Sequence, residues 1–467
     1  MTTPLKYHVA SANVHKVISN YMLADGFPMV FDLRQSEGVW CRDSKTGDKY
    51  LDLFTFFASA PIGYNHPKMT TPEMIQFLGE VAVNNITNSD LYTEEMASFV
   101  ETFFQLAVPK GFIHSFYIAG GGLANENALK AAFDWKVQKN FQKGYRDEVG
   151  QSVISFDKAF HGRTGYTLSL TRTEPTKYKW FPMHEWPKVS NPYIKFPLND
   201  ENLTDVQKRE TLALNQVKQA FLDYGDDIAA MIIEPIQGEG GDNHFRPEFM
   251  KELKNLADEN EAMLIFDCVQ TGMGLTGKWW AFEHFGMQPD MFVFGKKSQV
   301  CGFCANDKID DLDTNVFKVS SRINSTWGGN VIDMVRCAKY IEIIHEDKLL
   351  ENATEMGKYL KANLEKLSKE FPEILSNPRG RGLMCAFDLP SAIERNKFQA
   401  KMYENKVAIL GSGERSIRFR PALTIKAEHI DLAMDTTRKV IKDLYKKVLK
   451  LSPNGKVQDE PGLQKTE

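Results

Sequence analysis

The chain contains no uninterrupted apolar run of the roughly 20 residues needed to cross a membrane. Its N-terminus, MTTPLKYHVASANVHKV, lacks the basic segment and apolar core of a secretory leader. A cytoplasmic protein is expected. Excess positive charge is absent too: 57 Lys and Arg stand against 61 Asp and Glu, a formal charge of −4, so no nucleic-acid or membrane partner is expected. Cysteine is sparse, with six at positions 41, 268, 301, 304, 337 and 385 of a chain large enough not to need staples, so free thiols are expected. Cys301 and Cys304 form a C-x-x-C, but no second ligand pair completes a zinc site; small buried residues or a redox pair remain the readings, and no metal is expected.

What is present is the composition of an ordinary globular protein, 42% hydrophobic and 25% charged. At 467 residues it exceeds the ~250 to 300 at which single cores stop growing, so two domains are expected. The chain is organised around Ile265 to Lys297. The apolar run Met263–Phe266 stops at Asp267 and is followed by Gly272, Gly274 and Gly277, which places Asp267 at a strand's carboxyl end, where open α/β sheets bind ligands. A second run, Met291–Phe294, delivers Gly295 and Lys296. A carboxylate and an amine at two strand ends suit pyridoxal 5′-phosphate (PLP), which needs a lysine to hold its aldehyde and an anion to keep its ring nitrogen protonated. Taken singly, Asp267 also reads as a turn cap and Lys296 as a solvated lysine.

Elsewhere, VFDLRQSEGVWCRDSKTGDKYLDLF alternates apolar and polar residues around Lys45-Thr46-Gly47-Asp48 and predicts a β-hairpin. In the following FTFFASAPIG, residue type alone makes Phe54, Phe56 and Phe57 core. Gly120-Gly121-Gly122 precedes LANENALKAAFDWK, a helical pattern with Lys130 and Lys136 expected outside; glycines opening a helix can cradle an anion on free N–H groups. VISFDKAFHGRTG predicts a strand and a loop offering Phe160, His161 and Arg163; an aromatic to stack on a ring and an arginine to grip a carboxylate are what an amino-acid site needs. Glu239 lies in Gly238-Glu239-Gly240-Gly241, flexible backbone around one acid, and alone reads as a loop charge. Strands alternate with helices from about Gly79 to Gly329, so a mostly parallel sheet with helices on both faces is expected. Beyond Asn330 long helices lead to the short strands GLMCAFDLP and IRFRPAL. The expected organisation is 1–78 as an N-terminal segment of a smaller α/β domain, 79–331 as the large domain, 332–451 as the C-terminal part of the small domain, and 452–467 as a disordered tail.

The series D-x-x-Q-T-G-x-G-x-T-G followed by an apolar run ending in G-K resembles the class III (ornithine-type) aminotransferases, with similarity from about Phe54 to Thr424. FGKKSQVCG, RINSTWGGN, EPIQGEGGDNHFRPEF and GRGLMCAFDLP are similar to the branch that transfers the ε-amino group of L-lysine to 2-oxoglutarate. The resemblance implies a fold-type-I PLP enzyme with Lys296 as catalytic lysine and Asp267 under the ring nitrogen. It implies that Phe160 and Val269 sandwich the ring, Gln270 bonds the ring hydroxyl, and the Gly121 and Gly122 amides hold the phosphate. Thr326 would reach the phosphate of a neighbouring subunit, which implies a homodimer. Arg163, Glu239, Gln270, Asn324 and Arg418 are the implied substrate-binding residues, with Arg163 on the α-carboxylate of the amino acid and Arg418 on that of the 2-oxo acid. Cys268 departs from the family, which usually has Glu there, and Gly120 and Leu123 replace the common Ser and Glu. The residues themselves leave open an ornithine, 4-aminobutyrate or diamine donor, an aminomutase, and a PLP-fold binding module without turnover.

Overall fold

A computed structural model describes residues 5–446. The expected tail at 452–467 lies outside the described residues.

Seven strands form the main sheet: β1 (Phe112–Ile118), β2 (Ser152–Phe156), β3 (Lys188–Val189), β4 (Ile228–Ile233), β5 (Met263–Asp267), β6 (Met291–Phe294) and β7 (Cys301–Asn306). Their order is β1-β7-β6-β5-β4-β2-β3, with β7 antiparallel to both neighbours and every other pairing parallel. Every residue of β2, β4, β5 and β6 is buried, the pattern of parallel strands covered on both faces. Side chains alternate between two cores. Met263 and Ile265 face a cluster with Ala124, Ala128, Ala132 and Trp135 of the Gly121–Gln142 helix, while Leu264 and Phe266 face one with Phe249, Leu253 and Leu256 of the Pro247–Glu259 helix. Lys136 of the first helix, expected outside, is fully buried, its ammonium 3.1 Å from Asp226 and 3.3 Å from the Asn260 carbonyl. A charge can be buried there because its partners come from elements distant in sequence, which helical periodicity does not reveal.

The hairpin expected near the N-terminus is present as Trp40–Arg42 paired antiparallel with Lys49–Asp52, and Val407–Ala408 joins it in parallel. Ser376–Arg381, Met384–Asp388, Ser416–Phe419 and Leu410–Ser412 form an antiparallel sheet in that spatial order. It carries Arg418 toward the large sheet.

The Phe54–Phe57 segment differs from expectation. Phe54 is buried, but Phe56 and Phe57 are 40% and 51% exposed. Thr55, Phe56, Phe57 and Ala58 have φ of 43°, 52°, 58° and 64°, one left-handed turn of non-glycine residues, each at a cost of about 1–2 kcal/mol. Reversing the hand turns the two rings outward. Asp52 pins the turn by accepting from the Phe54 and Thr55 amides, and the Thr55 hydroxyl donates to the Arg420 carbonyl at 2.7 Å.

Candidate active site

The carboxyl ends of four adjacent parallel strands converge. β2 leads to Phe160, β4 to Glu234, β5 ends in Asp267, and Lys296 follows β6. The free N-terminus of the Gly121–Gln142 helix points into the same region, with Gly120 at φ 105° ahead of it. A cavity of about 430 Å³ is lined by Ser59, Gly120, Gly121, Lys296, Gln299 and Cys301, among others.

Two acids form the inner wall. Asp267, 4% exposed, accepts from the Asn125 amide at 2.8 Å, from the Val269 backbone at 3.0 Å, and contacts Nδ1 of His161 at 2.9 Å. Glu234, equally buried, accepts from the Phe160 and Gly238 amides at 2.9 and 3.0 Å. Burial, and then the neighbouring Asp267 charge, push the Glu234 carboxyl well above its ordinary value. Neither acid has a Lys or Arg partner among the described residues, and Nε2 of His161 is buried without a partner.

Lys296 and Lys297 point to different surroundings, though not through strand alternation. They sit in a single 3₁₀ turn, Lys296–Ser298, after β6, and Lys296 has φ 55°. Lys296 reaches toward the exposed Phe57 ring, 5.8 Å from its centroid, and burial followed by repulsion from Arg418 lowers its pKa to about 8. Lys297 is 1% exposed and donates to the carbonyls of Gln270 at 2.6 Å and Ala58 at 3.3 Å. It fastens the left-handed turn to the loop after β5.

The outer wall holds the opposite arrangement. Glu239 meets Nη1 of Arg418 at 3.2 Å and Nζ of Lys177 at 2.8 Å. Burial raises its pKa, but Arg418 and then Lys177 more than offset this and hold the group below its ordinary value. Glu239 and Arg418, each implied by the resemblance as substrate-binding, are thus brought together as an ion pair. The glycines around it have a different role from the mobility expected. A Cβ at Gly240 would overlap the Lys158 carbonyl, one at Gly238 would overlap the Gln270 amide, and the Glu239 carbonyl is fixed by the Gly413 amide at 2.9 Å. These glycines permit close backbone approach, so freedom at Glu239 resides in its side chain. Gln270 lies 3.4 Å from Arg420, which itself pairs with buried Asp242.

Of the other expected residues, Phe160 is half-buried with Lys177 Nζ 5.3 Å from its ring centre. Val269 packs against Gly121, where an added methyl would lie 3.0 Å from it. Arg163 is exposed, two residues beyond the His161 that meets Asp267. Asn324 and Thr326 are exposed, and neither lines the cavity beside Lys296. Sequence reasoning passed over Glu234, Asn125 and Lys177. An apolar run ending in an acid, the signal that singled out Asp267, also marks Glu234; Asn125 and Lys177 carry no such signal. The six cysteines are free and buried, as expected.

A buried carboxylate served only by neutral donors and a histidine suits a cationic ring nitrogen, and glycines opening a long helix suit a phosphate, so the residues fit PLP. The family model described as aminotransferase class-III matches residues 21–441, and the chain belongs to that family of PLP enzymes. Its sequence is 46% identical over 429 residues to the L-lysine-epsilon aminotransferase of Mycobacterium tuberculosis (strain ATCC 25618 / H37Rv), covering 92% of this chain and 95% of that protein. It is 45% identical to the enzyme of that name from Streptomyces clavuligerus, covering 90% and 92%. The solved lysine aminotransferase from M. tuberculosis in the internal aldimine form superposes with a TM-score of 0.91 at 45% identity, over 93% of this chain and 100% of that one.

Proposed function

We propose that this aminotransferase moves the ε-amino group of L-lysine to 2-oxoglutarate, giving 2-aminoadipate 6-semialdehyde and L-glutamate. The observation that carries the reading is the Glu239–Arg418 pair at 3.2 Å in the wall facing Lys296. An unmasked Arg418 would repel an incoming ε-ammonium and attract the α-carboxylate, presenting the wrong amine. Masked by Glu239, it leaves the α-carboxylate of lysine to Arg163. When a 2-oxo acid binds, Glu239 withdraws, Arg418 takes the α-carboxylate, and Arg163 takes the distal one. The likeness to the lysine-epsilon aminotransferases supports the same donor.

Bound PLP supplies an electron sink for the carbon that carries the transferred amine. Lys296, its pKa lowered to about 8, is the base that moves the proton from that carbon. Asp267 would keep the proton on the ring nitrogen; Phe160 and Val269 would hold the ring, Gln270 its hydroxyl oxygen, and the Gly121 and Gly122 amides the phosphate. Exposed Thr326, away from its own cavity, suits a contact with the phosphate of a second copy, which makes the working unit a homodimer. Six reduced thiols suit a cytoplasmic setting.

The test compares L-lysine, L-ornithine and 4-aminobutyrate as donors to 2-oxoglutarate. L-lysine should exceed the others in kcat/KM by about tenfold or more, one well-placed charge contact. Preference for either rival would overturn the donor assignment while leaving the family intact.

A further inference from the structure

Lys177 has no place in the scheme above, yet its side chain is only 8% exposed. It stands at the end of the short turn Pro175–Lys177, donates to the Thr173 hydroxyl at 3.1 Å and to Glu239 Oε1 at 2.8 Å, and lies 3.7 Å from Glu174. Its position 5.3 Å from the centre of the Phe160 ring ties it to the same wall. Glu239 therefore bridges two cations, one oxygen on each: Oε1 on Lys177 and Oε2 on Arg418.

The backbone around Glu239 is closed in by the Lys158 carbonyl and the Gly413 amide, so an exchange at Arg418 must occur by side-chain rotation. Such an acid, leaving a guanidinium that is 3% exposed, needs another cation within side-chain reach, because an unpaired carboxylate in a mostly buried place is costly. Lys177 is already bonded to it. We propose that Lys177 is a positioning residue that serves as the second seat of Glu239. The acid bridges Lys177 and Arg418 while the amine donor reacts, then rests on Lys177 alone when a dicarboxylic 2-oxo acid claims Arg418. This rests on the reading of Arg418 as the acceptor's carboxylate site. It adds a residue that governs the acceptor half of the cycle and not the donor half.

The test uses the PLP-loaded enzyme and the variants Lys177→Met, Lys177→Gln and Lys177→Arg. Single-turnover absorbance of the cofactor follows each half-reaction, and calorimetry measures binding of glutarate, a dicarboxylate that cannot react. Without the second seat Glu239 clings to Arg418. Lys177→Met should therefore slow the 2-oxoglutarate half and weaken glutarate binding by about tenfold or more, the scale of one charge-assisted hydrogen bond, while the lysine half changes by less than about threefold. Lys177→Gln should fall between, and Lys177→Arg should restore both readouts. A merely structural Lys177, bracing Phe160, would lower both halves equally together with cofactor retention, and that result overturns the proposal. Unchanged glutarate affinity in a folded Lys177→Met or Lys177→Gln enzyme does so as well. If the wild type prefers another amine to lysine, the donor assignment fails, whereas the glutarate measurement still decides the role of Lys177.

Discussion

The inner wall, on the ends of β4 and β5, holds its two acids with amides, a carboxamide and a histidine, whereas the outer wall holds its one acid between two cations. Asp267 and Glu234 are each 4% exposed and have several fixed donors, so each has one arrangement. The Glu239 side chain is 28% exposed and shared by Lys177 and Arg418, so it has alternatives separated only by side-chain rotation. The difference teaches that rigidity and exchange are built from the same residue type by the partners supplied. Neutral donors hold a buried acid in one arrangement and leave its charge uncompensated, while two cations on one acid offer it alternative partners.

The sharpest break between these regions comes at Lys296, which faces both. Lys296→Ala should reduce transfer by about 10⁴-fold, the upper range for a positioned proton carrier. Lys297→Met should instead lower stability by about 1–3 kcal/mol, leaving two carbonyls without their donor. Transfer assays and thermal melts separate them, and peptide mapping after borohydride reduction should find the pyridoxyl label on Lys296.

At the inner wall, Asp267→Asn keeps the shape but removes the charge. Activity should fall by about 10²–10³-fold, as for loss of a preorganised electrostatic group. Both half-reactions should suffer alike, and retained PLP, read by absorbance, should drop too.

The outer wall should respond selectively. Glu239→Ala should impair the lysine half by about tenfold or more and raise the preference for α-amino donors such as glutamate; Arg418→Ala should chiefly impair the 2-oxoglutarate half. Equal losses in both halves from Glu239→Ala would erase the distinction between the walls.

Lys296 also reports on the outer charges through its titration. Its amine, at about 8, is protonated below that pH and free to join an aldehyde above it, so PLP uptake by the cofactor-free protein should rise through a midpoint near that value. Because the Glu239 charge favours the ammonium, Glu239→Ala should move the midpoint down.

The smallest effect is expected at Cys268, 1% exposed and next to Asp267 in sequence. Cys268→Glu should change the transfer rate by less than about tenfold, or 1.4 kcal/mol in barrier. Steady-state assays of this variant measure how far the inner wall tolerates another acid.

Asp267, Lys296 and the glycine-opened helix were legible because an apolar run ending in a single charged residue is a local pattern, and strand ends are where parallel sheets bind ligands. The same pattern marks Glu234, which ends the apolar run Ala229–Ile233. Phe56 and Phe57 were misplaced because side-chain type says nothing about the hand of the backbone. Their outward rings depend on Asp52 and on the Arg420 and Lys297 contacts, which come from far along the chain.

The sequence by itself determined the mostly parallel sheet, the free thiols, the family and the placing of Asp267 and Lys296 at neighbouring strand ends, since periodicity, composition and motif spacing are all local properties of the chain. Only the tertiary structure decided that Lys136 is buried, that the glycines beside Glu239 serve close approach, and that Lys177 shares that acid with Arg418. Each of these depends on which groups from distant segments meet in a place where water is excluded, and there an unpaired charge costs more than a chain can bear without a partner.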